Sequence, residues 1–300
     1  MIMRINLKKL SALITLAVSL SLVWPVVSRA DTTNKFVAAL KGELNSSING
    51  KVAHTTTDIT YVYRRIHSGN QVGFILDGIK LINATPNGNQ KVVVTRDRFY
   101  SGERDKYIDI SRDKADPALK EELEATYGTP LSRAILDETG AETNVTILAR
   151  PGAKKVLQGG LLNGIRQFHP PYSYSATREW TTDEEIPMGN GGTVRGALTF
   201  KKMKPSDTGS GQPRLSVVTV SGQLTNAEFH PTNGPTHKNI IFQVSGTQTY
   251  DTTLQEWTAA NLTMAITLDL YDGDKKTGTT TGTIHSTLEK VPLSYDLQPK

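Results

Sequence analysis

The chain has 300 residues, with 34 lysines and arginines against 29 aspartates and glutamates, a formal net charge of +5 and no cysteine. The missing cysteine excludes disulfides, thiol nucleophiles, cysteine-ligated zinc, iron–sulfur clusters and a lipidated N-terminal cysteine. This length is enough for one large domain or two smaller ones, each able to bury its own hydrophobic core.

Residues 1–30 have the pattern of a secretory signal peptide. Basic residues at the start are followed by an uncharged apolar segment at 10–23 and by Ser28-Arg29-Ala30, a small-x-small cleavage site. We predict cleavage after Ala30 and a secreted or periplasmic protein. The removed segment contains four basic residues and no acidic one, which leaves 30 basic against 29 acidic residues. This balance argues against nucleic acid as a partner, and no later segment is long and apolar enough to span a membrane as a helix.

The mature chain is predicted to have an α+β half, residues 31–168, and an antiparallel β half, residues 169–300, which could form one continuous domain. Between residues 52 and 111, short β-rich runs alternate with turn dipeptides such as Gly69-Asn70. In one of these runs, Ile59, Tyr61 and Tyr63 would point to the same face of a strand.

Two short helices are predicted in the first half. The first has an N-cap at Asp116, proline at its first position and Gly128 after its end. The second, at residues 157–168, carries an apolar stripe and ends before His169-Pro170-Pro171, because proline cannot continue a helix. Between the two helices, residues 131–136 and 145–149 are predicted to form a β-hairpin.

The second half is predicted to be a meander of about five long strands. Its clearest alternation runs from Leu262 to Leu270, with an apolar residue at every second position. The strands are placed at residues 194–202, 215–224, 239–250, 262–270 and 277–288. The expected fold is therefore α+β and mainly antiparallel β, with a strongly curved sheet, partial barrel or sandwich and two short helices.

Turn and strand motifs recur along the second half, namely Met188-Gly189-Asn190-Gly191-Gly192, Gly196-Ala197-Leu198-Thr199, Ser221-Gly222-Gln223-Leu224-Thr225, Gly246-Thr247-Gln248-Thr249-Tyr250-Asp251, Trp257 and Leu262-Thr263. This layout resembles uncharacterised secreted bacterial β-rich proteins of planctomycete type, a family of unknown function. The resemblance extends from Leu131 and covers a little over half of the chain. It implies secretion and an antiparallel β architecture, and no known activity comes with it.

An aromatic loop and its surroundings are the leading candidate for a ligand site. The candidate residues are Phe168, His169, Tyr172, Tyr174, Trp180 and Trp257. Aromatic rings with one imidazole on a rigid Pro-Pro frame would suit a sugar or an apolar ligand. In the alternative interpretation, the loop only connects the two halves and the rings pack in the core.

Carboxylates beside Trp180 are the candidates for catalysis. Glu179 and Glu184, with His169 as a further group, could supply the two carboxyls that glycoside hydrolysis requires. The alternative is a solvated acidic turn without a catalytic role.

Three aspartates at the end of a predicted strand are the candidates for a metal site. Asp269, Asp272 and Asp274 could provide oxygen ligands to calcium. Their spacing departs from the EF-hand pattern, and a tight Asp-Gly hairpin turn explains the same residues. No cofactor is predicted.

The favoured function is that of a secreted or periplasmic, non-catalytic binding or envelope-associated protein. In its lipid-carrier form, the strand at 262–270 would line an apolar concavity and the two helices would act as a lid. The partner would then be an apolar small molecule or a component of the cell envelope. The alternative is a secreted hydrolase that acts on glycans or cell-wall material.

Overall fold

The computed structural model of the protein describes residues 32–86, 88–103, 106–137, 142–148, 153, 174, 177–187, 192–203, 215–231 and 234–297. The predicted signal peptide and the predicted second helix lie outside these residues. The loop residues Phe168, His169 and Tyr172 also lie outside them.

The described residues form fourteen strands, one α-helix and one 3-10 turn at Arg112–Lys114. In chain order they are β1 (Thr32–Ile48), β2 (Lys51–Ser68), β3 (Gln71–Thr85), β4 (Gly88–Thr95), β5 (Arg98–Glu103), β6 (Lys106–Ser111), α1 (Pro117–Thr126), β7 (Pro130–Leu136), β8 (Glu142–Ile147), β9 (Glu179–Pro187), β10 (Thr193–Lys202), β11 (Leu215–Phe229), β12 (Thr236–Asp251), β13 (Glu256–Asp272) and β14 (Lys275–Val291). The prediction of a mainly antiparallel β architecture is confirmed, and the predicted meander corresponds to β10–β14.

All fourteen strands belong to one sheet, which consists of two meanders joined in the middle. The order is β6-β5-β4-β3-β2-β1-β14-β13-β12-β11-β10-β9, with β7 paired to β3 and β8 paired to β7. Within the described residues, β6 and β9 are opposite edges that do not pair with each other, so this large sheet is not closed into a barrel. One α-helix is seen in the same residues and corresponds to the first of the two predicted helices, whereas the second lies outside them.

The first and last strands pair with each other at the centre of the sheet. Their antiparallel register runs from Lys35 opposite Val291 to Ile48 opposite Gly278. Each is also paired along its other edge, β1 with β2 and β14 with β13. The two predicted halves of the chain therefore share one continuous sheet.

The two faces of the sheet differ in polarity. The inner face, as we call it, carries Phe36 and Tyr63 in the first meander and Phe200 and Phe242 in the second, all of them buried. The residues that alternate with them along each strand point to the other side of the sheet, which we call the outer face. Because side chains alternate between faces along a strand, one apolar and one polar face follow directly from the period-two pattern.

Two predictions of face direction are confirmed. Tyr61 and Tyr63 are buried together on the inner face, with Ile59 half-buried beside them. On β13, residues 262, 264, 266, 268 and 270 are buried or half-buried, whereas 261, 265 and 267 are exposed.

The predicted first helix is confirmed as α1. Asp116 is its N-cap, and its carboxylate accepts a hydrogen bond from the backbone N–H of Leu119 at 2.9 Å. Leu123 and Ala125 are buried in a cluster that contains Phe36 and Leu76, so α1 packs on the inner face of the first meander. The predicted hairpin is also confirmed, as β7 and β8.

Neighbouring strands approach each other closely at glycines on the inner face. A Cβ added at Gly246 would lie 2.1 Å from the carbonyl oxygen of Asn261, and one at Gly222 would lie 2.3 Å from that of Ala197. Gly246 also has φ +146°, a conformation that side chains rarely adopt. These positions require glycine because the backbone of the next strand occupies the space of a side chain.

Buried tyrosines make the fold sensitive to high pH. Burial raises the pKa of Tyr61, Tyr63 and Tyr127. The folded state therefore keeps these phenolic protons at a pH where the unfolded chain, with a tyrosine pKa of about 10, releases them. Their contribution to stability is present below about pH 10 and is lost as the pH rises from there towards the folded-state pKa values.

We expect Tyr127→Phe to reduce this loss of stability at high pH, because it removes one of the buried phenols. Urea unfolding at about pH 8 and about pH 11 measures the loss in both proteins. Phenolate absorbance at 295 nm follows ionisation in the folded chain. An equal loss of stability in the two proteins would contradict this expectation.

Candidate functional site

Three of the predicted ligand-binding residues lie together on the inner face. The ring of Tyr174 stacks on that of Tyr250 with centroids 4.2 Å apart and meets Trp180 and Trp257 edge-on at 6.0 and 6.5 Å. Trp180 in turn stacks on Phe200 at 5.3 Å. We call these five residues the aromatic cluster.

The register of the strands explains this arrangement. Trp180 on the edge strand β9 is directly opposite Phe200 on β10, so the two rings share one face. On the other side, a register shift between Thr249 and Tyr250 places Tyr250 opposite Trp257 at the end of the β12–β13 pair. Sequence reasoning had missed Phe200, although it alternates with Leu198 on a predicted strand.

Several polar atoms of the aromatic cluster face an apolar interior. The indole N–H groups of Trp180 and Trp257 and the amide oxygen of the neighbouring Gln248 are buried and have no hydrogen-bond partner in the described part of the chain. The ammonium group of Lys202 lies 4.2 Å from the ring centroid of Tyr174. The cluster therefore combines a packed aromatic core with unused hydrogen-bonding groups.

A band of half-buried apolar side chains crosses the middle of the inner face. We call it the apolar strip, and it consists of Leu40, Leu44, Ile59, Leu262, Met264, Leu268 and Ile284. It covers neighbouring positions on β2, β1, β14 and β13, where Leu40 is paired with Ile59 and Met264 with Ile284. One end adjoins the cluster of α1, and the other end adjoins the core that contains the aromatic cluster.

The two candidate catalytic glutamates do not lie together. They belong to strand β9, not to the acidic turn considered from the sequence, and their positions differ by five residues. They therefore lie on opposite faces and about 16 Å apart along the strand. Glu179 is exposed near Lys201, 3.6 Å away, whereas Glu184 is half-buried and accepts a hydrogen bond from Thr182 at 2.8 Å.

The three candidate metal ligands lie around the β13–β14 turn. Asp272 is paired with Lys275 across a two-residue loop of Gly273 and Asp274. Asp269 contacts Lys276 at 2.7 Å and accepts a hydrogen bond from Asn239, and these interactions lower the pKa of its carboxyl. No cluster of three potential metal ligands is found where the chain is described.

A cavity of about 830 Å³ lies on the outer face of the first meander, which the sequence did not single out. We call it the outer cavity. Its walls come from β1–β6, from Gly128 after α1 and from the C-terminal segment, residues 292–297. The charged lining residues are Lys35, Arg64, Asp77, Arg96, Asp97, Arg98 and Asp296.

The back wall of the outer cavity is built on Asp77. Nη2 of Arg64 donates a hydrogen bond to this carboxylate at 2.8 Å, and Nζ of the buried Lys35 lies 3.3 Å from it. Lys35 also donates to the backbone carbonyls of Leu293 and Tyr295, which fixes the C-terminal segment over the outer face.

A buried ion cluster on the inner face of the sheet connects the two meanders. It consists of Asn34, Arg65, His67, Glu142 and Glu256. Arg65 Nε lies 2.8 Å from Glu256 Oε1, an ion-pair contact rather than an aligned hydrogen bond, and Arg65 Nη2 lies 2.9 Å from Glu142 Oε1.

Further contacts hold Glu256 in this cluster. Asn34 donates a hydrogen bond to Glu256 Oε2 at 3.0 Å, and His67 Nε2 lies 3.2 Å from Glu256 Oε1. Burial works against the charged guanidinium of Arg65, but the two carboxylates outweigh it and raise the pKa of Arg65.

Comparison with known proteins adds little to this geometry. No family model matches the chain, and no curated protein matches it. The chain is similar, at 10% identity over 87% of its length and 84% of the other, to the binding domain of botulinum neurotoxin serotype C1, with a TM-score of 0.15. It is also similar to the beta domain of the Bordetella autotransporter Brka, at 8% identity over 87% of this chain and 100% of that one, with a TM-score of 0.16. At these TM-scores neither similarity carries an argument.

Where the chain is described, no helix is both long and apolar enough to cross a bilayer, and α1 has 10 residues.

Proposed function

We propose that this chain is an exported, non-catalytic binding protein that holds an apolar small molecule, such as a lipid chain, against the inner face of its sheet. The apolar strip carries this proposal. Seven large apolar side chains at the centre of the sheet are only half-buried. A ligand that covered them would remove this apolar surface from contact with water. Strand β13, which the sequence assigned to the lining of the site, supplies three of them.

The arrangement around the apolar strip supports the same proposal. Helix α1 borders one end, because Leu119 and Leu123 belong to the same cluster as Leu40 and Ile59. At the other end, the strip adjoins the core that contains the aromatic cluster. Strong curvature of the sheet around the ligand is part of the proposal, and the close strand approach at Gly246 is consistent with it.

Export is also part of the proposal and rests on the signal-like residues 1–30. A secreted hydrolase has less support, because Glu179 and Glu184 point to opposite faces of β9. A role at the cell envelope would fit an apolar ligand, since lipids are abundant there.

Fluorescence of the neutral apolar probe N-phenyl-1-naphthylamine tests the proposal. We expect saturable binding to the mature protein and about tenfold weaker binding to the double variant Leu262→Asn/Met264→Asn, because two side chains of the strip lose their apolar contact. The matched control is Ile241→Asn, which changes an exposed apolar residue on the outer face and should leave binding unchanged.

Two results would count against a ligand site on the strip. One is an absence of saturable binding to the folded wild-type protein, and the other is an equal effect of the inner-face and outer-face substitutions. Circular dichroism of each variant establishes that it is folded before binding is compared.

A further inference from the structure

We propose that the outer cavity binds a small molecule through a carboxylate or phosphate group, with Arg96 as the residue that contacts this group. The cavity lies on the face opposite the apolar strip, so the proposal does not depend on the function proposed above. Its volume of about 830 Å³ is in the range of sites that enclose small molecules.

The back wall of the cavity has an excess of positive charge. Lys35 and Arg64 share a single carboxylate, that of Asp77, at 3.3 and 2.8 Å. The other two hydrogen bonds of Lys35 go to backbone carbonyls, which carry no net charge. The two cations therefore exceed this carboxylate by one positive charge, and Lys35 is buried, where a charge is weakly screened.

Arg96 adds a further positive charge, so that the charged lining residues, four basic and three acidic with Asp296 included, carry a net charge of +1. Its neighbours Asp97 and Arg98 are each engaged, with Arg112 at 3.2 Å and Asp109 at 2.6 Å. Among the described residues, no carboxylate lies within ion-pair distance of Arg96 itself. A guanidinium group without a carboxylate is well suited to a planar or tetrahedral anion, because its N–H groups can donate two parallel hydrogen bonds.

The position of the Arg96 side chain depends on Gly128 at the end of α1. A Cβ at Gly128 would lie 2.9 Å from Cδ of Arg96. Because glycine has no Cβ, the side chain of Arg96 can lie directly against this position. Gly128 has φ +73°, which also favours glycine.

The remaining lining residues define where the anionic group would lie. The carboxylate of Asp296 on the C-terminal segment would repel it, so the group is expected nearer to Arg96 and Arg64. Thr33 and Ser111 line the same cavity, and serine and threonine hydroxyl groups can donate further hydrogen bonds.

Isothermal titration calorimetry of the mature protein with inorganic phosphate and with succinate tests this proposal. We expect saturable binding of at least one probe and a loss of affinity of about tenfold or more in Arg96→Gln, as for the loss of hydrogen bonds to a charged group. Arg178→Gln is the control, because it removes the same charge from an exposed position outside the cavity lining and should bind as the wild type does. The Leu262→Asn/Met264→Asn variant should also bind the anion normally, which separates this site from the apolar strip.

Vesicles that contain phosphatidylglycerol distinguish the source of the anionic group. Co-sedimentation that is lost in Arg96→Gln would identify a lipid headgroup, whereas binding of the soluble probes without co-sedimentation would identify a free anion. The proposal is overturned if neither soluble probe nor vesicle shows saturable binding, or if Arg96→Gln and Arg178→Gln bind equally.

Discussion

Replacing Arg65 by methionine is expected to lower the free energy of unfolding by about 3–5 kcal/mol. The guanidinium of Arg65 contacts two carboxylates, those of Glu256 and Glu142, at 2.8 and 2.9 Å. The substitution keeps most of the side-chain volume but removes the guanidinium that compensates the charge of Glu256, which is 3% exposed. A buried carboxylate in that condition must either remain charged at high cost or take up a proton.

Urea unfolding followed by tryptophan fluorescence measures the effect, and two further variants define its cause. In the Arg65→Met background, Glu256→Gln should restore part of the lost stability, because it removes the charge that Arg65 compensated. Arg98→Met breaks an exposed ion pair with Asp109 and should change stability too little to resolve. A loss below about 1 kcal/mol in Arg65→Met, or no recovery in the double variant, would show that the cluster contributes little to stability.

Gly246→Ala is expected to cost about 2–4 kcal/mol, the second-largest effect. The added methyl group would lie 2.1 Å from the carbonyl oxygen of Asn261, which belongs to the backbone of β13 and cannot move aside as a flexible side chain can. The residue would also be held at φ +146°, where alanine is strained.

The control for this prediction is Gly42→Ala on β1. There the nearest atom to an added Cβ is Cγ1 of Ile284 at 3.6 Å, an ordinary contact. Alanine at an unstrained position reduces the entropy of the unfolded chain, so Gly42→Ala should be neutral or stabilising by up to about 1 kcal/mol. If urea unfolding gives the same change for both variants, close strand approach is not the reason for glycine at position 246.

Much of the architecture could be predicted from the sequence, because local patterns specify single strands and their turns. The alternation from Leu262 to Leu270 and the cap and proline that begin α1 are both read within about ten residues of chain. Strand β1 was missed because residues 38–41, Ala-Ala-Leu-Lys, are good helix formers, and its strand conformation depends on pairing with β2 and β14. Strand β9 was missed because its acidic run resembles a turn.

The candidate sites were harder to predict because they depend on strand register. Tyr174, Trp180 and Trp257 were candidates because of their residue types, and only the structure shows that their rings are in contact. Phe200 joins them because the β9–β10 register places it opposite Trp180. The outer cavity combines residues as distant in sequence as Lys35 and Leu297, which no local pattern relates. The buried ion cluster likewise brings together β1, β2, β8 and β13.

The pairing of β1 with β14 also affects how this protein reaches its folded state. Contacts between residues such as Lys35 and Val291 close a loop that runs from residue 35 to residue 291, which gives a high contact order. Each meander can form from adjacent hairpins as it emerges, but the central seam of the sheet can form only after the last strand has been made. Until then one edge of β1 is unpaired. We therefore expect the chain to fold slowly, and we expect the two meanders to become one cooperative unit only when β14 pairs with β1.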